Sequence, residues 1–421
     1  MNLFYNTNMT NKKNLLIIAH YYYPDVASTG QIYKDIADNL KDEFNVSILC
    51  TVPSYTGYIE DKYKDKDIYI ENIDGVKVYR VRVSEFDKKN KISRVKNILS
   101  YYFRARKLIR SLKDIDCILA LSQPPVLGGM IGVYGKKKLN CKLIYNIQDF
   151  NPEQIMAINF SKNKLIIDIL MYLDKRTCKK SDLIITVGKD LVETVNKRFN
   201  YKDVPNTIMI NNWIDDEKIY PLDKNNDGVL EFKNKYNLNN KFIIMYSGNI
   251  GLYYDLENII KVIEKIKDEN ILFVFVGEGA KKNTLVDYVN SHNMNNVVFI
   301  PYQNKEDLIY SLNAADVHLC INAKGIKGVS CPSKFYGIAA IAKPVIGVLE
   351  KGSEIYSIID KTKCGLLSEP NDYDKLEENI REIVNRKDLD IMGNNGYEYL
   401  KKYLTKKEAT SKYKEAIKNL L

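Results

Sequence analysis

Short apolar runs alternate with helix-like segments along the first half of the chain, and this alternation limits the folds that the sequence can adopt. Asn14–Ala19 is a continuous apolar run of strand length. Similar runs follow at Phe44–Cys50, Val76–Val83, Cys117–Leu121, Leu143–Ile147 and Leu183–Val187. Uninterrupted apolar runs are typical of strands that are covered on both faces. Because helical segments separate them, they predict βαβ units and a mostly parallel sheet.

The same pattern starts again after a polar segment, Asn211–Asn226, which holds the single tryptophan. The second series of apolar runs comprises Phe242–Tyr246, Ile271–Val276, Val297–Ile300, Val317–Ile321 and Val345–Val348. A chain of 421 residues is long enough for two buried cores. We therefore predict an α/β protein of two doubly wound domains, 1–212 and 213–403, with a ligand cleft between the carboxyl ends of their strands.

Composition excludes several classes of protein. Hydrophobic residues make up 45% of the chain and charged residues 28%, which is typical of globular proteins. The sequence contains no run of 18 apolar residues, so it predicts no membrane span. The polar start of the sequence lacks a signal-peptide core. Seven scattered cysteines without a C-x-x-C pair indicate reduced thiols in a cytosolic protein. The three histidines lack metal-ligand spacing, so we expect no metal site.

Three loops in the second half have the composition of phosphate-binding turns. Ser247–Gly251 and Gly277–Gly279 each follow an apolar strand and precede a helix, and another helix begins at Ser333–Lys334. Free N–H groups at a helix start attract phosphate, and Lys334 adds a full positive charge. One such turn is weak evidence, because tight turns favour glycine and Ser333 could be an ordinary N-cap. Three turns at one edge of one sheet predict a diphosphate site.

Two further residues of the first half lie at ends of predicted elements. Gly30 closes the loop after the first strand, where it would let the other wall of the cleft approach the phosphates. Asp149 follows the strand Leu143–Ile147, where a carboxylate can orient a hydroxyl, although it could equally be an N-cap. The G-x-G-x-x-G and P-loop motifs are missing, which argues against a dehydrogenase and an NTPase.

The segment Lys88–Lys113 is the most unusual in composition, because its charged residues are all lysine or arginine. Apolar and aromatic residues recur within it near helical spacing. A cationic helix of this kind suits an anionic membrane surface, and nucleic acid is the alternative. Because the chain has no nucleic-acid-binding motif, we predict membrane docking through Lys96, Arg104, Arg106, Lys107 and Arg110.

Seven segments occur in the order of a known family. They are YYYPDVASTGQ, YNIQDFNPE, NNWID, YSGNIGLYYDLENII, FVGEGAKK, CPSKFYGIAAIAKPVIG and CGLLSEP. Together they resemble the retaining, nucleotide-sugar-dependent glycosyltransferases of family 4, and among these the bacterial O-antigen, colanic-acid and capsule enzymes of the fucosamine-transferase type. The resemblance implies the GT-B fold, with the acceptor on the first domain and the donor on the second. It also implies that a C-terminal helix at about 404–421 packs back on the first domain.

The resemblance also implies roles for single residues. Asp149 and Lys334 would be catalytic, and Glu278 and Gly279 would lie near the nucleoside. The diphosphate would be held by Gly30, Ser247, Gly248, Asn249, Gly251, Gly277, Ser333, Lys334 and Phe335. The chain departs from the family's Glu-x7-Glu motif, whose two positions read Val329 and Gly337, and from the Arg and Lys after the glycine turn, which read Asn249 and Tyr254. Glu354 is the substitute that we expect to bind the ribose.

These observations predict an enzyme that is cytoplasmic and peripheral on the inner membrane face. It would transfer a sugar, N-acetylated and carried by UDP, to a polyprenyl-diphosphate-linked or glycan acceptor in surface polysaccharide biosynthesis. We expect no cofactor apart from this donor and no nucleic-acid partner. Two alternatives remain at this stage: a UDP-sugar epimerase of the same architecture, and a non-catalytic membrane-surface adaptor. The adaptor would leave the three phosphate-type turns without a purpose.

Overall fold

The fold is taken from a computed structural model that describes residues 12–25, 28–87, 90–157 and 163–421. Lys88 and Lys89, at the start of the predicted basic segment, lie outside the described residues, as does most of the polar start of the chain.

The first half forms an eight-stranded sheet with the order β3-β4-β2-β1-β5-β6-β7-β8. Its strands are Asn14–Ile18 (β1), Asn45–Thr51 (β2), Ile68–Ile73 (β3), Val76–Val81 (β4), Cys117–Leu121 (β5), Lys142–Ile147 (β6), Leu183–Thr186 (β7) and Thr207–Met209 (β8). All neighbours pair in parallel except β3 and β4, which form an antiparallel hairpin at the edge. The predicted strands are therefore present, and the edge strands β3 and β8 are additions that no apolar run indicated.

The second half forms a six-stranded parallel sheet with the order β11-β10-β9-β12-β13-β14. Its strands are Phe242–Ser247 (β9), Ile271–Val276 (β10), Val297–Ile300 (β11), Val317–Ile321 (β12), Val345–Val348 (β13) and Gly365–Ser368 (β14). In both sheets the chain order reverses beside the first strand of the domain, which is the switch point where such sheets bind ligands. The predicted fold class, two Rossmann-like α/β domains, is confirmed.

Helices cover both faces of each sheet. The first half contains Ser28–Leu40 (α1), Lys91–Ile109 (α2), Leu127–Leu139 (α3), Glu153–Ala157 (α4), Lys164–Lys180 (α5) and Lys189–Arg198 (α6). The second half contains Asp227–Lys235 (α7), Leu256–Glu264 (α8), Lys282–Ser291 (α9), Leu308–Asn313 (α10), Lys334–Ala340 (α11), Glu354–Thr362 (α12), Tyr373–Val384 (α13), Leu389–Tyr403 (α14) and Lys406–Leu420 (α15). Successive residues of β1 point to opposite faces, so Leu15 and Ile17 join one core cluster and Leu16 and Ile18 another.

The last helix, α15, packs against α1 of the first half. Its Tyr413 is buried, accepts a hydrogen bond from Asn146 in β6, and meets the ring of Trp213 edge to face at 6.2 Å. The indole N–H of Trp213 donates to Asp35 of α1 at 3.0 Å. These contacts tie both ends of the second half to the first sheet. The boundary between the two domains, placed between residues 212 and 213, stays a prediction.

One loop of the second half, residues 328–330, also contacts the first half directly. Asp149 pairs with Ser330 in an isolated antiparallel bridge, and the N–H of Phe150 donates to the carbonyl of Val329 at 2.8 Å. The N–H of Gly328 donates to the carboxylate of Asp190 at 2.7 Å. The cleft between the sheets therefore has a hydrogen-bonded floor.

Tyr413→Ala should destabilise the protein by about 3 kcal/mol, because it empties a fully buried aromatic site between α15 and the first sheet. Trp213 is the single tryptophan, so its fluorescence should shift to the red as water reaches the ring. Urea unfolding followed at this tryptophan measures both effects. The exposed Tyr172→Ala is the matched control and should change stability by less than about 0.5 kcal/mol. Equal losses in the two variants would contradict the packing role of α15.

Candidate functional site

A cavity of about 950 Å³ lies between the carboxyl ends of the two sheets. The first half contributes polar side chains to its wall, among them Thr29, Gln31, Gln123, Gln148 and Asp149. The opposite wall includes Asn249, Tyr253, Tyr254, Asn322, Ser330 and Ser333. Lys305 reaches across the cleft and donates to Gln31 at 2.7 Å. The volume of this cavity, about 950 Å³, is large enough for a nucleotide-sized ligand.

The two glycine turns of the second half pack directly against each other. A Cβ on Gly277 would lie 2.0 Å from the carbonyl oxygen of Gly248, and one on Gly279 would lie 2.2 Å from the carbonyl oxygen of Ile250. Gly248 and Gly277 also have φ angles of +139° and +142°, which side-chain-bearing residues rarely adopt. The N–H of Ile250 donates to the carbonyl of Glu278 at 2.9 Å. The predicted turns at Ser247–Gly251 and Gly277–Gly279 thus form one surface.

Lys334 of α11 lies against this surface. A Cβ on Gly248 would be 2.7 Å from the Cε atom of Lys334, so the lysine stem passes where a side chain at position 248 would stand. The Nζ atom lies 3.7 Å from the ring centroid of Tyr254 and 5.0 Å from that of Tyr246. The structure therefore brings Ser247–Gly251 and Ser333–Lys334 together, as expected from the sequence.

The electrostatic environment of Lys334 is unusual for a lysine. Burial lowers its pKa to about 8, and no carboxylate among the described residues lies within 4 Å of its ammonium group. Two aromatic faces attract a cation, but they do not neutralise its charge. An ammonium group that has lost water without gaining an acid is costly to the fold. The arrangement can offset this cost by binding an anion.

The two residues beside Lys334 differ in their surroundings. Ser333 is the N-cap residue of α11 and lines the cavity, but its side chain makes no capping hydrogen bond. Phe335 was predicted to bind the donor, yet its side chain is buried in the core with Leu312 and Ile338. Residue 335 can therefore contribute only through its backbone, since the helix turns its side chain away from the cleft.

A smaller cavity of about 200 Å³ continues behind Lys334. Ser247, Gly248, Val276, Tyr302 and Gly337 are among its lining residues. A Cβ on Gly337 would make ordinary van der Waals contacts at 3.6 and 3.9 Å, with Leu312 and Ile214. This cavity lies next to the glycine turns and can hold part of a nucleoside.

Asp149 lies between the large cavity and the core of the first half. Burial raises the pKa of its carboxyl group, and a hydrogen bond with Ser330 opposes that shift. The strand-like pairing with Ser330 holds its backbone in place, so Asp149 projects from the end of β6 toward the cleft. A carboxylate in this position can accept a hydrogen bond from a hydroxyl group of a ligand.

Two other predicted residues make contacts that the sequence did not indicate. Gly30 lies inside α1 and packs against the backbone of Tyr21 and Tyr22, so it does not close the loop; its neighbours Thr29 and Gln31 line the cavity. The carboxylate of Glu278 forms an ion pair with Lys282 at 2.6 Å.

Glu354 is buried at the contact between the halves. Its carboxylate accepts hydrogen bonds from the backbone N–H of Lys189 at 3.0 Å and from Asn211 at 3.1 Å. Both oxygens are thus bound to the first half, at the start of α6, where the helix dipole favours a carboxylate. This geometry gives Glu354 a structural role. Binding of the ribose by Glu354 stays a prediction, and the two hydrogen bonds of its carboxylate do not support it.

The basic helix α2 also differs from a uniformly solvated cationic surface. Arg104 and Lys107 contact the carboxylate of Asp67 at 3.2 and 3.9 Å, and Arg104 also donates to the carbonyl of Arg82. Arg106 and Arg110 lie over the ring of Tyr134. Of the predicted docking residues, Lys96 alone is exposed without a recorded partner in the described chain. The predicted docking surface is therefore partly occupied by contacts within the domain.

Sequence reasoning missed several residues that line the cavities. Tyr246 and Tyr254 surround Lys334, and His20 and Arg94 line a second cavity near Asp149. The only local signal was position: Tyr246 lies near the carboxyl end of β9, and His20 follows β1. Within the described ranges no group of three or more His, Cys, Asp or Glu side chains is arranged to hold a metal ion.

Lys334→Met should stabilise the ligand-free protein at pH 7 by on the order of 1 kcal/mol, because it removes an ammonium group that is buried without an acid. The folded state lowers the pKa of this lysine from its ordinary value of 10.5, so the cost is complete below about pH 8. The gain should therefore shrink as the pH rises from about 8 toward 10.5. Urea unfolding at pH 7 and pH 10 measures it, and a destabilised variant at pH 7 would contradict this account.

Comparison with known proteins identifies the second domain. Residues 229–399 match the family model described as Glycosyl transferases group 1. The chain is 26% identical over 393 residues to "Probable glycosyltransferase WbjE" of Pseudomonas aeruginosa, covering 90% of this chain and 91% of that protein. It is 23% identical over 254 residues to the Escherichia coli protein named "Putative colanic acid biosynthesis glycosyl transferase WcaI", covering 59% of this chain and 61% of the relative.

Solved structures show the same architecture along nearly the whole chain. Sucrose-phosphate synthase from Thermosynechococcus elongatus superposes with a TM-score of 0.76 at 14% identity, covering 97% of this chain and 99% of that one. Anabaena HepE, in complex with UDP and glucose, superposes with a TM-score of 0.68 at 12% identity, covering 96% and 99%. The predicted glycosyltransferase resemblance is confirmed: residues 229–399 form a glycosyl transferases group 1 domain, and the chain has the GT-B fold.

Proposed function

We propose that the protein transfers an N-acetylated sugar from a UDP-sugar to a polyprenyl-diphosphate-linked or glycan acceptor in surface polysaccharide biosynthesis. The observation that carries the proposal is the ammonium group of Lys334, which has no acid partner among the described residues and lies against two interlocked glycine turns. A dianionic diphosphate supplies the charge that this site lacks. The glycosyl transferases group 1 domain and the UDP-bound HepE relative support a nucleotide-sugar as the source of that diphosphate.

The large cavity between the halves and the smaller cavity behind Lys334 share lining residues and would together hold the donor. Its diphosphate would lie at Lys334 and the Ser247–Gly251 turn, and its nucleoside would extend toward the smaller cavity at Gly337. The sugar would then point into the large cavity, toward Asp149. Asn249 and Ser333 line that larger space at the junction and can donate to phosphate oxygens.

The reaction exchanges one glycosidic bond for another. A hydroxyl oxygen of the acceptor forms a bond to the anomeric carbon of the donor sugar, and the bond from that carbon to the diphosphate oxygen breaks. UDP leaves with the bonding electron pair, and the hydroxyl proton passes to the departing phosphate or to solvent. Lys334 stabilises the charge that develops on the leaving diphosphate, which is electrostatic catalysis. Asp149 orients the sugar, and retention of the anomeric configuration is proposed from the family resemblance.

UDP should bind to the wild-type protein in isothermal titration calorimetry, and Lys334→Met should weaken this binding by about tenfold to hundredfold, because a charge-assisted hydrogen bond to phosphate is lost. The matched control is Lys281→Met on the neighbouring helix. The ammonium of Lys281 already pairs with Glu257 at 2.8 Å, so this variant should bind UDP with nearly wild-type affinity.

The pH dependence of UDP binding gives a second readout for the same lysine. Because the pKa of Lys334 is lowered to about 8 in the free protein, the ammonium form is lost above that pH. The affinity for UDP should therefore fall as the pH rises from 7 to 9, and it should fall less in the Lys334→Met variant. UDP binding that is equal in Lys334→Met and wild type would refute the phosphate role of this residue.

The described residues contain no helix that is long and apolar enough to cross a membrane. We propose instead that the protein binds the cytoplasmic face of the inner membrane through an apolar ridge beside the basic residues of α2. The apolar ridge consists of exposed side chains on α2 and α5: Ile92, Val95, Leu99, Phe103, Leu165, Ile166, Ile169 and Tyr172. Helix α3 packs between these two helices, so both flank it on the same face of the sheet.

Charge and apolar exposure favour a lipid surface as the occupant of the ridge. Ile92 is 80% exposed and Phe103 is 62% exposed, although both are strongly hydrophobic. Lys96 lies between them on α2 and is exposed, and the whole helix contains no acid. A helix with apolar and cationic residues on its outer surface binds the boundary between headgroups and acyl chains of an anionic bilayer.

Ile92→Ser combined with Phe103→Ser should reduce binding to phosphatidylserine-containing vesicles by about tenfold or more, because two exposed apolar side chains no longer enter the lipid. Vesicle sedimentation measures the effect. Ile391→Ser, whose parent side chain is 64% exposed on α14 in the second half, is the control and should bind like wild type. Equal binding to neutral and anionic vesicles would contradict the role of the basic residues, and unchanged binding of the double variant would contradict the ridge.

A further inference from the structure

A buried arginine holds the segment that follows Asp149. Arg198, the last residue of α6, is 9% exposed, and two of its nitrogen atoms donate to the two carboxylate oxygens of Glu153 at 2.7 and 2.5 Å. It also donates to the carbonyl oxygen of Asn151 at 3.1 Å. The centre of its guanidinium group lies 4.4 Å from the ring centroid of Phe150, which is fully buried. One side chain thus contacts three residues that closely follow Asp149.

The same guanidinium group is anchored in the core of the first half. It forms an ion pair with Asp174 of α5, whose carboxylate also accepts a hydrogen bond from the hydroxyl group of Tyr145 in β6 at 2.6 Å. Asp174 and Tyr145 are both buried. The N–H groups of a guanidinium group point in fixed directions within one plane, so an arginine that binds two carboxylates also fixes their relative position. Arg198 therefore ties the start of α4 to α5 and to the strand that precedes Asp149.

The earlier turns of α6 contact the loop that pairs with Asp149. The hydroxyl group of Thr194 donates to the carbonyl oxygen of Gly328 at 2.7 Å, and the N–H of Gly328 donates to the carboxylate of Asp190 at 2.7 Å. Ser330, in the same loop, forms the isolated bridge with Asp149. Helix α6 therefore supports Asp149 from two sides: through a loop of the second half, and, at its last residue, through the segment on the carboxyl side of Asp149.

We propose that Arg198 is a positioning residue for the transfer reaction: it keeps the carboxylate of Asp149 directed into the cleft by fixing the backbone on the carboxyl side of that residue. This inference rests on the proposed function, in which Asp149 orients the sugar of the donor. Asp149 lines both the large cavity and the second cavity near it, whereas Arg198 lines neither of them. Arg198 therefore acts through Asp149 and does not touch the donor.

The network of Arg198 supplies a fixed position more than it supplies stability. Removing two carboxylates and a guanidinium group from water is costly, and this cost offsets much of the attraction between them. The geometry is nevertheless specific, because each contact of Arg198 with residues 150–153 restricts the chain next to the site. A group that orients a substrate must stay within about 0.5 Å of its productive position, which the residues that support it determine. A displacement of about 1 Å can lower a rate by about a hundredfold.

The first experiment tests whether Arg198 fixes this segment, and it needs no ligand. Glu153→Gln preserves the shape of the side chain, removes the charge that Arg198 binds on α4, and leaves the ion pair with Asp174 in place. The N–H groups of Gln154 and Met156 donate to the carbonyl oxygens of residues 150 and 152. Hydrogen exchange at these two groups, measured on the full chain by mass spectrometry, should become about tenfold faster in the variant, because the segment opens more often.

Asp182→Asn is the matched control for the exchange experiment. Asp182 accepts hydrogen bonds from the ammonium group of Lys136 at 2.7 Å and from the backbone N–H of Leu143 at 2.8 Å, at the opposite end of β6. This variant breaks an ion pair that holds the same strand, and it should leave exchange at residues 154–156 unchanged. Wild-type exchange in Glu153→Gln, or equal acceleration in both variants, would overturn the proposal.

The second experiment measures the release of UDP from UDP-N-acetylglucosamine, with water in place of the acceptor hydroxyl. Glu153→Gln should lower kcat by about tenfold and change KM by less than about twofold. Arg198→Lys keeps a charge but loses the paired hydrogen bonds, so it should have a similar effect. Asp182→Asn should release UDP at the wild-type rate. In an Asp149→Asn background, Glu153→Gln should cause no further loss, because it acts through the carboxylate already removed. Losses that multiply in the double variant would overturn the positioning role.

Failure of this inference can be distinguished from failure of the proposed function. If the wild type and Glu153→Gln release UDP at equal rates, the positioning role is wrong and the donor site stands. If the wild type releases no UDP, the proposed donor is wrong, and the exchange experiment decides the role of Arg198 by itself. Arg198→Lys changes a buried site, so its melting temperature is compared with that of the wild type; if it does not fold, Glu153→Gln decides the outcome.

Discussion

The carbonyl oxygen of Gly248 occupies the space that any side chain at position 277 would need, and the stem of Lys334 occupies the space that a side chain at position 248 would need. These two close approaches bring the ends of β9, β10 and the start of α11 into one surface. The backbone at Gly248 and Gly277 adopts φ angles that glycine tolerates and other residues do not. The position of the Lys334 ammonium group thus depends on two residues that carry no side chain, and the proposed chemistry of the cleft depends on that ammonium group.

The halves of the molecule are held together by carboxylates that one half presents to backbone N–H groups of the other. Asp190 of the first half accepts from Gly328, and Glu354 of the second half accepts from Lys189. Phe150 adds a backbone hydrogen bond to Val329 beside the pairing of Asp149 with Ser330. Because these bonds surround the cleft floor, they place Asp149 opposite the glycine turns. Glu354 therefore affects the site through the contact between the halves.

The first half separates two kinds of basic residue along a single helix. Toward the end of α2, arginines contact Asp67 and Tyr134 and stabilise the domain itself. Near its start, Arg94 and Lys96 keep their charges free within the described chain and lie next to exposed apolar side chains. A segment without acids looks uniform in sequence, but the neighbouring strands and helices divide it. Arg94 lies in the first turns of α2, which also line the cavity beside Asp149.

Local pattern was enough to predict both sheets, the glycine turns and the importance of Lys334, because apolar runs, turn composition and a basic helix start act over a few residues. The edge strand β3 escaped this reasoning, since it exposes alternate side chains and lacks an apolar run. Contacts that local pattern did not predict depend on partners far away in the chain. Glu354 is bound by Lys189 and Asn211, and Phe335 faces the core. Likewise, only the folded chain brings His20 and Arg94 to one cavity and keeps acids away from Lys334, because the distances between residues remote in sequence are set by how the helices and sheets pack.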